Sequence, residues 1–146
     1  MPAAPTTTQE PDTSSVPKSD STDVKKVILI VEDDPVLLKM YTEKFGFEGF
    51  KVLMARDGEE AIKVAGSEKI DIILLDIMLP RMSGTDFLEK FRVTPKGKNV
   101  PVIALTNLAA EEEKQRAIKL GVEEYLVKAM QTPEEVVQKV EKYLKP

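Results

Sequence analysis

The sequence predicts an α/β domain in which a five-stranded parallel sheet is covered on both faces by five helices. Three observations carry this. From Lys25 onward, short apolar runs alternate five times with segments of helical period. The connections between them are short, as right-handed crossover units require. The third run has no polar residue between Ile72 and Leu75, the mark of a strand buried on both faces.

The elements follow in order. Strand one is expected at Val27–Val31, and Asp34-Pro35 opens helix one as an N-cap with proline in the first helical position. That helix should run to about Phe45. Strand two is expected at Lys51–Met54, and Asp57 caps helix two, to about Ala65. Strand three is placed at Asp71–Leu75. Helix three starts near Ser83-Gly84 and ends before Thr94-Pro95. Strand four is expected at Val100–Leu105. Helix four, about Ala109–Leu120, carries Glu111, Glu112 and Glu113 in its first turn and Lys119 in its last, a favourable arrangement for the helix dipole, with Gly121 as its stop. Strand five is Glu124–Val127. Thr132-Pro133-Glu134-Glu135 reads as a capping box for helix five, with Val136, Val137, Val140 and Leu144 on one face. That helix is expected to end two residues before the chain does, leaving no room for an output domain.

Residues 1–24 differ in kind. They hold four of the ten prolines, many serines and threonines, and no aromatic residue, so they are expected to form a disordered tail ahead of one domain spanning 25–146. Of the net charge of −4, the tail accounts for −3 through Glu10, Asp12, Asp20 and Asp23 against Lys18. The net charge of −4 and a pI near 5.1 argue against a dedicated nucleic-acid binder, which would usually show a basic stripe. The apolar runs are too short to cross a bilayer, and the tail lacks the apolar core of a secretory signal. A cytoplasmic protein is the expectation. The chain contains neither cysteine nor histidine, which excludes thiolate and imidazole metal sites, serine–histidine triads and a phosphohistidine of its own.

Ligands of such sheets bind beyond the carboxyl ends of the strands, and the residues there are suggestive. Strand one runs into Glu32-Asp33-Asp34, strand three into Asp76, strand four into Thr106 and strand five into Lys128. Clustered carboxylates repel and call for a cation. Oxygen donors alone select a hard ion, Mg²⁺ before Zn²⁺. A carboxylate can be a nucleophile and form an acyl phosphate, while a lysine and a hydroxyl offer charge and a donor to phosphate oxygens. Each residue also has an ordinary reading. Asp34 is better read as an N-cap than as a ligand, Thr106 could be a loop or cap hydroxyl, Lys128 a solvent-facing lysine and Tyr125 simple packing.

Together, the stretches ILIVEDDP, IILLDIMLPRMSG, VIALTN and YLVKA, in this order, resemble the receiver domains of two-component response regulators, over residues 26–145. The resemblance implies the flavodoxin-like strand order 2-1-3-4-5 and a single-domain phosphorylation switch. It implies Asp76 as phosphoacceptor, and Mg²⁺ held by Asp33, by Asp76, by the Met78 carbonyl and, through water, by Glu32. Thr106 and Lys128 would meet the phosphoryl group, and Tyr125 would be the aromatic partner of Thr106 in the switch. Implied partners are a sensor histidine kinase or a histidine phosphotransfer protein upstream. Downstream, a protein target would be met through the face of helix four, strand five and helix five. No direct contact with nucleic acid or membrane is implied.

The chain departs from the family at one point. The family usually has a cis-proline after the lysine, whereas Ala129 follows Lys128. A cis bond before another residue costs about 2.5–4 kcal/mol, which leaves a trans, differently shaped loop or a strained cis one. Rival readings make different demands. A receiver-like scaffold that no longer takes phosphate would have lost an acid, the hydroxyl or the lysine. A flavin carrier would want a hydroxyl- and glycine-rich loop after strand one, and an aspartate-based phosphatase a D-x-D there; Glu32-x-Asp34 supplies neither.

Overall fold

The computed structural model describes residues 25–107 and 111–144. The expected tail and the expected start of helix four at Ala109 lie outside them. The sheet is parallel throughout, in the order β2-β1-β3-β4-β5. Its strands are β1 Val27–Val31, β2 Lys51–Ala55, β3 Ile72–Asp76, β4 Val102–Thr106 and β5 Glu124–Val127. The helices are α1 Pro35–Phe47, α2 Gly58–Ser67, α3 Gly84–Arg92, α4 Glu111–Lys119 and α5 Pro133–Lys142. The order reverses between β1 and β3, which places a crevice between their carboxyl ends.

Strand alternation divides the core into two layers. Leu29, Val31, Ile73, Leu75 and Ala104 point to the side of Ala61, Ala65, Phe87, Leu88, Phe91 and Ala117, which come from α2, α3 and α4. Ile28, Ile30, Ile72, Leu74, Ile103 and Leu105 point to the side of Leu38, Tyr41, Phe45, Val136, Val137 and Val140, from α1 and α5. The sheet interior is therefore dry on both faces, and its polar residues are confined to strand ends.

Two strands begin later than the sequence suggested. At Asp71 the backbone N–H donates to the Val27 carbonyl at 2.9 Å, and the carboxylate accepts the Val27 N–H at 2.8 Å. It closes the end of the sheet rather than extending a strand. Before β4, the Val100 carbonyl is taken by Arg92 at 2.6 Å, and Pro101 has no N–H to give. Helix starts follow their caps: Asp34, Asp57, Ser83 and Thr132 each accept from a backbone N–H of the first turn, and Thr132 and Glu135 form the full capping box. The Lys128–Ala129 peptide is trans, and Lys128–Met130 forms one turn of 3-10 helix.

Candidate functional site

The parallel register brings the strand ends level. Val31 pairs with Leu75, so Glu32 and Asp76 are each the next residue at neighbouring strand ends. Asp76 pairs with Leu105, and Thr106 with Val127, so Thr106 and Lys128 each stand one step further along the next strand. Oxygens of Glu32, Asp33 and Asp76 all lie within 4.8 Å of one another. Glu32 and Asp76 are buried at 2% and 3% exposure, whereas Asp33 is exposed.

Lys128 enters this cluster from β5. Its ammonium lies 2.8 Å from Glu32 Oε1 and 2.9 Å from Asp76 Oδ2, and its side chain is itself buried. The remaining oxygens are used as well. Asp76 Oδ1 accepts the Met78 N–H at 3.0 Å, and Glu32 Oε2 accepts the Asp34 N–H at 3.0 Å. Asp34 itself accepts the Val36 N–H at 2.9 Å, as its reading as a helix cap requires.

One ammonium stands among three carboxyl groups, two of them buried. Burial pushes Glu32 up to about 7, with the Asp76 charge adding and Lys128 and the Asp34 N–H opposing. Burial likewise raises Asp76, against the pull of Lys128 and the Met78 N–H. Lys128 loses from burial but is held above its ordinary value by the two carboxylates. Groups that resist ionisation beside an exposed acid make a site to which a hard divalent cation is well matched.

The loop after Asp76 is clamped from two sides. A Cβ on Gly84 would stand 2.3 Å from the Asp76 carbonyl oxygen, and the Gly84 N–H donates to Ile77 O at 2.9 Å. The first turn of α3 thus rests directly on the Asp76 backbone, which only glycine allows. Arg81, at φ 64°, forms an ion pair with the α2 cap Asp57.

Thr106 is fully buried at the end of β4. Tyr125 packs against the layer beneath α2, α3 and α4, with its hydroxyl shielded from solvent. Burial raises that hydroxyl, the Thr106 hydroxyl opposes, and the Glu113 and Glu111 charges add. The Lys114 ammonium sits 5.9 Å from the Tyr125 ring centroid. The structure therefore brings together Glu32, Asp33, Asp76 and Lys128, places the Met78 N–H on Asp76, and sets Tyr125 beside Thr106. Sequence reasoning did not find the bond from Lys128 to Glu32, nor the polar groups joining α3 to α4. Only the lysine's position at a strand end hinted at the first.

Comparison with known proteins agrees with this geometry. The family model of the response regulator receiver domain matches residues 28–141. Among curated relatives, the probable transcriptional regulatory protein TcrX of Mycobacterium tuberculosis is 36% identical over 111 residues, 76% of this chain and 47% of that protein. CpxR of Escherichia coli K12 is 39% identical over 101 residues, 69% of this chain and 42% of that protein. The chain thus spans less than half the length of these relatives. Among solved structures, a response regulator receiver domain protein of Methanospirillum hungatei superposes with a TM-score of 0.77 at 30% identity, covering 83% of this chain and 94% of the other. The receiver domain of the sensor kinase PA1611 of Pseudomonas aeruginosa, solved with magnesium in its active-site cleft, has a TM-score of 0.71 at 27% identity, covering 83% and 98%. Sheet order, strand-end chemistry and similarity over most of the described residues converge, and the chain belongs to the response regulator receiver domain family.

Proposed function

We propose that the chain is a phosphoacceptor switch that takes a phosphoryl group on Asp76 from the phosphohistidine of a sensor kinase or phosphotransfer protein. The observation that carries this reading is the setting of Asp76. It is a buried carboxylate with Lys128 on one oxygen, the Met78 N–H on the other, and two further acids within 4.8 Å. In the transfer, an Asp76 oxygen attacks phosphorus as the N–P bond breaks, and the leaving imidazole keeps the electron pair and takes up a proton. Lys128 meets the charge spreading over the phosphoryl oxygens, and Thr106 is the hydroxyl donor.

A Mg²⁺ ion, when bound, supplies neutralising charge at the reacting oxygens. Asp33 and Asp76 would hold it directly, with the Met78 carbonyl, and Glu32 through water. In this reading Glu32 keeps Lys128 in place, and Asp33, exposed at the site, is the acid available to an incoming ion. Thr106 and Tyr125 form the switch: drawing Thr106 towards a phosphoryl group changes the space open to Tyr125, and with it the α4–β5–α5 face offered to a downstream protein. The described residues include no helix long and apolar enough to cross a membrane.

Acetyl phosphate with Mg²⁺, followed by intact mass, tests the proposal. One phosphoryl group labile to hydroxylamine is expected in the wild type and none in Asp76→Asn, since an amide is no nucleophile. Equal labelling of the variant would refute the assignment.

A further inference from the structure

The segment between Asp76 and α3 is held at both ends by the site and in its middle by α2. At the start, the Met78 N–H donates to Asp76 Oδ1 at 3.0 Å. At the end, the Gly84 N–H closes on the Ile77 carbonyl at 2.9 Å, with α3 seated on the Asp76 backbone. In the middle, Arg81 forms an ion pair with Asp57, and a Cβ on Gly58 would stand 2.6 Å from the Met82 carbonyl oxygen. The start of α2 therefore meets two consecutive residues of the loop.

Arg81 has a φ of 64°, and among the described residues no other residue except glycine has a positive φ. This left-handed conformation is costly for a residue with a Cβ, and it persists only where the surroundings hold it. Asp57 is suited to hold it. It is buried, and its Oδ1 caps α2 by accepting the Glu60 N–H at 2.8 Å, while Oδ2 meets the guanidinium. The Glu60 N–H and Arg81 keep the Asp57 carboxyl below the usual carboxylate range, so it stays charged. Behind it, Ala61 and Ala65 fix α2 in the core.

We infer that Arg81 is a positioning residue: through Asp57 it fastens the loop to α2 and so keeps the Met78 backbone in place against Asp76. This rests on the phosphoacceptor reading, in which the Met78 carbonyl is a Mg²⁺ ligand. Without the ion pair, the Gly58–Met82 contact is the remaining tie to α2 described above, and the loop gains freedom next to the metal site.

Two substitutions test this. Asp57→Asn keeps a good helix cap and removes the charge. Arg81→Gly accepts the same φ and removes the guanidinium. Each variant and the double variant are titrated with Mg²⁺, and the Met78 amide resonance is recorded in chelator. Each single variant should weaken Mg²⁺ binding about 2- to 4-fold, the scale of an ion pair with one exposed partner. The double variant should lose no more than either. In chelator, the Met78 amide should move upfield as its bond to Asp76 loosens. The sign distinguishes positioning from a plain field effect, because losing a nearby cation would by itself tighten Mg²⁺ binding in Arg81→Gly. Unchanged or tighter binding in that variant, additive losses in the double variant, or a Met78 amide unmoved in both single variants would overturn the role. A wild type that binds no Mg²⁺ would overturn the phosphoacceptor reading instead, and the Met78 amide alone then decides the role of Arg81.

Discussion

The two ends of the sheet each set a cation among oxygens, with opposite consequences. At the amino end, Arg92 donates to the carbonyls of Gly97, Val100, Leu120 and Gly121 at 2.6–3.2 Å. Its partners are neutral dipoles, so every bond relieves an unpaired group without adding charge. At the carboxyl end, Lys128 stands between Glu32 and Asp76 with Asp33 beside them. Each partner there is itself a buried charge that needs neutralising. The first arrangement ties the ends of α3 and α4 and the start of β4 together. The second keeps an imbalance in place that an incoming cation would relieve. Burial of polar groups marks structure in one case and chemistry in the other, and net charge tells them apart.

The largest expected effect tests that contrast at the carboxyl end. Lys128→Met removes the ammonium facing two buried carboxylates, and leaving such charges uncompensated costs about 3–5 kcal/mol. Urea unfolding in chelator should show that loss, and Mg²⁺ should restore part of it. At the amino end, Arg92→Met keeps the stem and loses the bonds to four carbonyls, a cost of about 2–3 kcal/mol. Here Mg²⁺ should restore nothing. Equal rescue of both variants would erase the distinction.

The imbalance also predicts a pH signature. Because the folded pKa of Glu32 is raised from 4.5 to about 7, the folded protein holds this proton more tightly than the unfolded chain does. Its contribution is complete below the unfolded value and is lost as pH rises through about 7. Glu32→Gln has no such loss. In chelator, its stability relative to wild type should therefore improve between pH 4.5 and 7, on the order of 1–3 kcal/mol. A flat difference across that window would mean Glu32 is already ionised in the fold.

A smaller effect separates two adjacent acids. Asp34→Ala should cost about 1 kcal/mol through its lost cap and leave Mg²⁺ affinity nearly unchanged. Asp33→Ala should do the reverse, weakening Mg²⁺ in a titration while thermal unfolding barely moves. The opposite pairing would place the metal one residue along.

The fold was legible because each strand is a short apolar run and the starts of α1, α2, α3 and α5 each carry a side-chain cap. The acidic pair, Asp76 and Lys128 were legible for a related reason: parallel strands bring their ends to one edge, so position in sequence becomes position in space. Asp34 could be read as a cap because a cap's partners lie two or three residues away. What stayed hidden involves partners far apart in the chain. Nothing local to Arg92 points to carbonyls 28 and 29 residues on. Glu111 to Glu113 looked like an ordinary acidic helix start, yet Glu113 bonds Thr85, 28 residues before it. The start of β3 was misplaced because Asp71 uses its side chain as well as its backbone on Val27.

Phosphoryl transfer to Asp76 is tested most directly by its covalent product. Protein treated with acetyl phosphate and Mg²⁺ is reduced with borohydride, which converts an aspartyl phosphate to homoserine, and peptides are sequenced by mass. Homoserine at position 76 and at no other acid is the expected result. Homoserine at position 33 or 34, or 2-amino-5-hydroxypentanoic acid at position 32, with Asp76 intact would contradict this assignment.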